Sequence, residues 1–169
     1  FVAQFGSDAN GKMLKDVIEG YGVDLSLSSE NVKPSGCGIV FLKETGSVSA
    51  IVIGAANANW PETIDVEEIL PIEDGRGSAA VMLQMEIPQR VNALVARAAK
   101  ARGIPVFQDV GGAERSLEEL GQEYLALCDY ISPNETELKR LTKRPVGTDE
   151  EVVAAAKFLQ QRGANNVLV

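Results

Sequence analysis

The segment SPNETEL, from Ser132 to Leu138, places an Asn and two acids directly after a Pro. The Pro ends a β-strand ladder, and an Asn at the start of a helix caps its free N–H groups. Glu135 and Glu137 then fall in or near the first helical turn, where negative charge is favourable. The cap itself needs neither glutamate. A spare carboxylate beside the helix start is therefore a candidate for holding hydrated Mg²⁺ against a phosphate.

Polar side chains also follow two earlier apolar runs, where strands are expected to end. The first run ends in LQME with Gln84 and Glu86, and the second ends in QDVGG with Asp109 before two glycines. Parallel α/β sheets bind ligands outside the carboxyl ends of their strands. Acids from three successive strands at one edge predict a site for a hydroxyl-rich substrate and a metal-bound phosphate. The alternative for each single acid is that it only favours a helix dipole.

The spacing of apolar residues predicts the elements that position these side chains. Two β-rich runs joined by the turn-forming ETGS predict an antiparallel hairpin. Beyond it, apolar strands alternate with helices, which predicts an α/β fold with a parallel sheet covered on both faces. The predicted segments are a helix at Asn10–Tyr21, hairpin strands at Gly38–Lys43 and Val48–Ile53, a strand at Ala79–Gln84, a helix from Pro88 to Gly103, a strand in IPVFQD, a helix at Leu117–Leu127, a strand in CDYIS, helices in ETELKRLT and at Asp149–Arg162, and a strand in the terminal VLV.

Composition narrows the class of protein. A chain of 169 residues, 45% of them hydrophobic, is enough for one ordinary globular core. The net charge of -8 with no His argues against a nucleic-acid partner. Cys37 and Cys128 are too few for a disulfide scaffold, which fits a reducing cytoplasm. No apolar run approaches the roughly 20 residues that cross a bilayer, so we expect no membrane partner.

One segment comes close to a phosphate-binding loop. Gly6 to Met13 matches G-x-x-x-x-G-K-[ST] except for the final hydroxyl, which would ligate Mg²⁺. We expect no strand before it, and therefore interpret the match as chance.

The order of FGSDANGKMLKDVIEGYGVD, SGCGIVFL, IGAANAN, MLQMEIP, DVGG and SPNETELKRLT resembles the ribokinase family of carbohydrate and nucleoside kinases over essentially the whole chain. The resemblance implies a ribokinase-like three-layer α/β/α fold with a mostly parallel sheet. Residues 1–169 would form part of that domain, and residues 36–56 a small β-hairpin lid within it. It also implies ATP-dependent phosphorylation of a sugar's primary hydroxyl, with D-ribose favoured and ribose 5-phosphate as product. It further implies a requirement for Mg²⁺, activation by a monovalent cation such as K⁺, and a homodimer formed through the lids.

The resemblance also implies roles for particular residues. Glu86, which ends the LQ-x-E strand, is expected to contact the sugar hydroxyls, as are Gly38 and Val40 of the lid strand. Asn134 is expected to reach the nucleotide phosphates, and Glu137 to help hold hydrated Mg²⁺.

The resemblance is to the central part of the family's domain. Its glycine-rich sugar loop would precede Phe1, and its catalytic Asp would follow Val169. We therefore expect a fragment that is inactive alone. Gly111 and Gly112 depart from the family's pattern, which has Pro-Ala there, and Gly38 is smaller than the usual lid residue. Two alternatives stay open: another family member, such as a fructokinase or nucleoside kinase, or a non-catalytic binding protein on a truncated kinase scaffold.

Overall fold

A computed structural model describes residues 1–42, 44, 46, 48–71, 78–112 and 115–169. The chain divides into two compact units, Phe1–Ile69 and Leu70–Val169. No helix within those described ranges is long and apolar enough to cross a membrane. Part of the predicted ETGS turn, together with Lys43 at the end of a predicted strand, lies outside the described residues.

The helices and strands follow one another along the chain. The strands are β1 (Gln4–Gly6), β2 (Ser29–Asn31), β3 (Cys37–Leu42), β4 (Val48–Ile53), β5 (Val81–Met85), β6 (Val106–Gly112), β7 (Tyr130–Ser132) and β8 (Asn166–Val167). The helices are α1 (Ala9–Gly20), α2 (Val66–Ile69), α3 (Gln89–Ala101), α4 (Leu117–Leu120), α5 (Gln122–Leu127), α6 (Glu135–Thr142) and α7 (Asp149–Gln161), with a 3-10 turn at Ala55–Ala58.

The first unit contains a parallel strand pair that the sequence pattern did not predict. β1 pairs with β2, with Gln4 opposite Ser29 and Gly6 opposite Asn31. Each strand has only three residues, too few to establish a period. β1 also corrects the expectation that no strand precedes the near-match to a phosphate loop. The missing hydroxyl remains, because Met13 stands where Ser or Thr would ligate Mg²⁺.

The antiparallel hairpin of the first unit joins β3 to β4, with Cys37 opposite Ile53 and Leu42 opposite Val48. Side chains alternate between the two faces of a strand, and directly paired residues share a face. All twelve strand residues are exposed, although most of them are apolar. This hairpin presents hydrophobic side chains on both of its faces.

The second unit is built on a parallel sheet in the order β5-β6-β7-β8. Strand order follows chain order, so right-handed crossovers place the connecting helices on one face. Burial agrees, because β5 alternates from buried Val81 to exposed Met82, which is 83% exposed. Phe107 and Tyr130 stack in parallel, with ring centroids 4.6 Å apart, across neighbouring strands. Within this unit, the face of β5 that carries Val81 is covered, and the face that carries Met82 is exposed.

The helices of the second unit largely follow the predicted segments. The predicted single helix at Leu117–Leu127 is two short helices, because Gly121 between them has a φ of +75° that interrupts helical geometry. Gly103 also has a positive φ, +69°, just after α3, which is a common way for a helix to end.

Candidate functional site

The carboxyl ends of β5 and β6 are irregular, and this irregularity shapes the candidate site. The register runs Leu83 opposite Gln108, then Met85 opposite Gly112. Two steps along β5 therefore correspond to four along β6, as in an extended β-bulge. Such bulges bend a strand end and re-aim the side chains around it.

Glu86 follows this irregular end and lies against Gly112. A Cβ atom placed on Gly112 would be only 2.7 Å from Cδ of Glu86, and Gly112 has a φ of +90°. Both the backbone conformation and the close approach thus favour glycine at this position. Glu86 is exposed, and its carboxylate is free to accept hydrogen bonds from a ligand.

Asp109 and Glu137 border the neighbouring glycine. Asp109 Oδ1 accepts a hydrogen bond from the N–H of Gly111 at 2.7 Å. A Cβ atom on Gly111 would lie 2.9 Å from Asp109 Oδ1 and 3.4 Å from Glu137 Oε1. The two carboxylates therefore flank one small space at the sheet edge. Within the described residues no group of three or more His, Cys, Asp or Glu side chains is placed to hold a metal ion.

The start of α6 is closed by a reciprocal capping box. Asn134 Oδ1 accepts from the N–H of Glu137 at 2.9 Å, and Glu137 Oε2 accepts from the N–H of Asn134 at 2.9 Å. The expectation that neither glutamate takes part in the cap is therefore wrong for Glu137, because an acid three residues after the cap reaches back to it. Oε1 of Glu137 and the side-chain Nδ2 of Asn134 remain available to a ligand.

Side chains bind the carbonyl groups of the irregular strand ends. Asn92 Nδ2 donates to Gln84 O at 2.7 Å, and Arg140 Nη2 donates to Val110 O at 3.0 Å. Gln108 Nε2 donates to two carbonyls, at 3.3 Å and 2.5 Å.

A buried Tyr stands behind Gln108. The hydroxyl of Tyr124 donates to Gln108 Oε1. Burial raises the pKa of Tyr124 far above its ordinary value of 10.0, so this hydroxyl stays protonated and remains a donor. Burial also raises the pKa of the nearby Cys128 thiol to about 11, which keeps it an unreactive thiol.

In the first unit, the expected lid residues Gly38 and Val40 share one face of the hairpin with their partners Val52 and Ala50. Gly38 has no atom within 4 Å of where a Cβ would be, so that position is open. The opposite face carries larger apolar side chains, including those of Ile39 and Ile51.

Asp8 anchors the chain at the base of the hairpin, a role that the sequence analysis missed. Its Oδ1 caps α1 by accepting from the N–H of Gly11 at 2.9 Å and also accepts from Ser35 Oγ at 2.6 Å, while Oδ2 accepts from the N–H of Ser35 at 3.0 Å. The hydrogen bonds, that of the Ser35 hydroxyl first among them, lower the pKa of Asp8 below its ordinary value of 3.8. An Asp directly before a helical pattern is the signal that would have placed this cap.

A cavity of about 550 Å³ runs along α6, and four cationic side chains line most of it. The full lining is Thr136, Lys139, Arg140, Lys143, Arg144 and Pro145. The negative net charge of the chain gave no indication of this cationic cluster. Cations at the carboxyl end of a helix favour its dipole, and Arg144 also lies over the ring of Phe158 at 4.3 Å.

These features define an α/β protein of the class that binds ligands at the carboxyl edge of a parallel sheet, beside a capped helix. Residues 1–169 match the pfkB family of carbohydrate kinases along their whole length, so the chain belongs to that family. The predicted resemblance to the ribokinase family is thereby confirmed.

Individual relatives give the same result. The chain is 39% identical to a ribokinase of Arabidopsis thaliana, across 100% of this chain and 44% of that protein. It is 35% identical to a deoxyribokinase of Salmonella typhi, across 80% of this chain and 42% of that protein. The chain spans about half the length of the curated relatives it matches.

Solved structures confirm the fold class. The structure of Arabidopsis thaliana ribokinase complexed with ribose and ATP matches 99% of this chain and 53% of that one, with a TM-score of 0.84 and 37% identity. The ribokinase of Thermotoga maritima matches 99% of this chain and 52% of that one, with a TM-score of 0.73 and 26% identity. A ribokinase-like α/β fold with a mostly parallel sheet is thus established.

Proposed function

We propose that the protein containing these residues is a sugar kinase that transfers the terminal phosphoryl group of ATP to the primary hydroxyl of D-ribose, giving ribose 5-phosphate. The observation that carries the proposal is the exposed carboxylate of Glu86, seated over Gly112 at the sheet edge. The relative solved with ribose and ATP supports this choice of substrates. A carboxylate that accepts hydrogen bonds from neighbouring sugar hydroxyls orients the sugar, and each such charged bond contributes about 1.5–3 kcal/mol.

The nucleotide phosphates are assigned to the start of α6. The side-chain Nδ2 of Asn134 is free to donate to a phosphate oxygen, since the capping box uses only the side-chain oxygen and the backbone N–H of this residue. Glu137 Oε1 and the carboxylate of Asp109 border the space at Gly111, and suit Mg²⁺ held through its waters. When bound, Mg²⁺ neutralises charge that develops on the transferring phosphoryl group. Monovalent-cation activation by K⁺ is part of the proposal, and we assign no described residue to that ion.

The hairpin is proposed as a lid whose Gly38 and Val40 contact the sugar, with the domain assigned to residues 1–169 and the lid to 36–56. Closing such a lid would keep water away from the phosphoryl group. The face that carries Ile39 and Ile51 is proposed as the homodimer contact, because both faces of this hairpin are apolar and exposed. A cytoplasmic location follows the two free thiols of Cys37 and Cys128.

Phosphoryl transfer needs positioning and charge neutralisation from these residues, and a base for the substrate hydroxyl. We assign that base to the catalytic Asp that the resemblance to the family implies, and to no described residue of this chain. Deoxyribose is the second candidate substrate, favoured by the 35% identity to a deoxyribokinase. The two sugars differ by one hydroxyl, which a site built to bind it distinguishes strongly.

The test is ADP release from ATP and Mg²⁺ by the product of the complete gene, with ribose, deoxyribose or fructose as acceptor. Glu86→Gln is the diagnostic variant, and Glu135→Gln on α6 is its control. Turnover of ribose that falls with Glu86→Gln and not with Glu135→Gln supports the proposal. A preference for deoxyribose or fructose overturns the substrate, and binding of ribose without ADP release supports the non-catalytic alternative.

A further inference from the structure

The two amide side chains of Asn92 and Gln108 are buried where an apolar residue is expected. Asn92 is 0% exposed on the apolar face of α3, and Gln108 is 1% exposed in the middle of β6. A buried polar group lowers stability unless it is hydrogen-bonded. Asn92 is only half satisfied, because its Oδ1 has no hydrogen-bond partner within the described part of the chain. A leucine would fill this position without that cost, so the donor of Asn92 needs another explanation.

Both amides bind the main chain at the point where the register breaks. Asn92 Nδ2 donates to Gln84 O at 2.7 Å, and Gln84 lies between the two paired positions Leu83 and Met85 where the register shifts. Gln108 Nε2 spans the break, donating to Leu83 O on β5 at 3.3 Å and to Asp109 O on its own strand at 2.5 Å. The amides thus bind carbonyl groups that lie at the ends of the regular ladder.

The shape of this break determines where Glu86 lies. Gly112, which has a φ of +90°, lies opposite Met85 and under the Glu86 side chain. It reaches this position because β6 has extra residues at the break in register. If the carbonyl of Gln84 lost its donor, it would be left without a partner beside the buried position 92 and would have to turn to find another. Glu86, two residues further on, would move with it.

We propose that Asn92 and Gln108 are positioning residues for sugar binding: their amides hold the β5–β6 break open in the form that seats Glu86 over Gly112. This inference rests on the proposed role of Glu86 in binding the sugar. Neither residue is assigned a contact with the substrate. We therefore expect their replacement to weaken sugar binding and to leave nucleotide binding unchanged.

The test uses Asn92→Leu and Gln108→Leu in the product of the complete gene, with D-ribose and ATP as substrates. Two variants are matched controls. Val91→Ala alters an equally buried neighbour on α3 that donates no side-chain hydrogen bond. Tyr124→Phe removes the hydroxyl that donates to Gln108 Oε1 but leaves both amide donors in place.

We expect the KM for ribose to rise about tenfold or more in Asn92→Leu and Gln108→Leu, with the KM for ATP within about twofold of the original, since misplacing a positioned group acts on the substrate it holds. The Tm of Asn92→Leu should fall no further than that of Val91→Ala, because the lost donor to Gln84 O is offset by removal of the unsatisfied Oδ1 of Asn92. Val91→Ala should lower Tm and leave the ribose KM unchanged, and Tyr124→Phe should also keep that KM. An unchanged ribose KM in both leucine variants overturns the proposal, as does an equal rise in Val91→Ala.

Failure of the proposed function shows itself separately. If Glu86→Gln leaves the ribose KM unchanged, or no sugar is phosphorylated, the role of Glu86 is wrong whatever the leucine variants do. The positioning claim is then decided by crystal structures of the original protein and of Asn92→Leu. A Glu86 side chain displaced from Gly112 in the variant supports it, and an unmoved one overturns it.

Discussion

The side chain of Glu86 occupies the space that any side chain on Gly112 would need, because a Cβ atom there would lie 2.7 Å from Glu86 Cδ. The glycine on one strand and the acid after the other thus form a single structural unit. The role of this unit in sugar binding can be tested by changing the glycine and leaving the acid intact.

Gly112→Ala should displace Glu86 and raise the KM for ribose. The variant also places alanine at a φ of +90°, which costs about 1–3 kcal/mol of folding free energy. Gly103→Ala is the matched control, since Gly103 has a φ of +69° and open space around its Cβ position. Kinetics and urea unfolding of both variants separate the two effects. We expect both variants to lose similar folding stability and only Gly112→Ala to raise the KM for ribose. A ribose KM that rises equally in both variants would contradict it.

Glu137→Gln should leave α6 intact and weaken the response to Mg²⁺. Glutamine can replace glutamate in a capping box, so the bond to the N–H of Asn134 is kept while the charge is lost. The measurement is initial rate against free Mg²⁺, which should need a higher concentration for half-saturation. Glu135→Gln in the same turn removes the same charge outside the box and serves as control. Identical Mg²⁺ curves for the two variants would exclude a specific role for Glu137.

Asp8→Asn should remove part of the acid sensitivity of folding. Hydrogen bonds from Ser35 and Gly11 lower the pKa of Asp8 in the folded protein below the ordinary 3.8. The folded state therefore binds this proton less readily than the unfolded state. The stabilisation is complete above 3.8 and is lost as pH falls from there through the lowered pKa. Urea unfolding at several pH values from neutral into this range should give a shallower loss for the variant, and parallel curves would contradict the assignment.

Ile51→Lys should convert a dimer into a monomer if the face with Ile39 is the contact between copies. A charge buried without a partner in an apolar interface is strongly unfavourable. Ala50→Lys, on the opposite hairpin face with Val40, is the comparison and should raise the ribose KM while the dimer persists. Light scattering over a range of concentrations measures the dimer, and kinetics measure the KM for ribose. Loss of the dimer in Ala50→Lys alone would reverse the assignment of the two faces.

Strong periodic signals predicted most elements of the fold. The helix in ETELKRLT, the hairpin runs and the alternation of strands with helices all have long or well-punctuated patterns. β1 and β2 were not predicted, because a strand of three residues is too short to show a period. The predicted helix at Leu117–Leu127 is interrupted by the backbone conformation of Gly121.

The site was predictable by residue type more than by geometry. Glu86, Asn134 and Glu137 were singled out as candidates because polar residues at strand ends stand out against apolar runs. Their relationships depend on a break in register and on glycines that meet distant side chains, which no local pattern encodes. Asn92 and Gln108 were visible as amides within apolar segments, and that conflict between pattern and residue was the available signal.

The order of the strands in the second unit has a consequence for biosynthesis. Because β5, β6, β7 and β8 are neighbours in the sheet in the order in which they are translated, each strand can pair with the preceding one as it leaves the ribosome. Within the described part of this unit, the neighbour of each later strand is the strand translated just before it, so the loop to be closed is only the helical connection between them. Vectorial synthesis and the topology of this sheet therefore run in the same direction, and the βα units can assemble one after another.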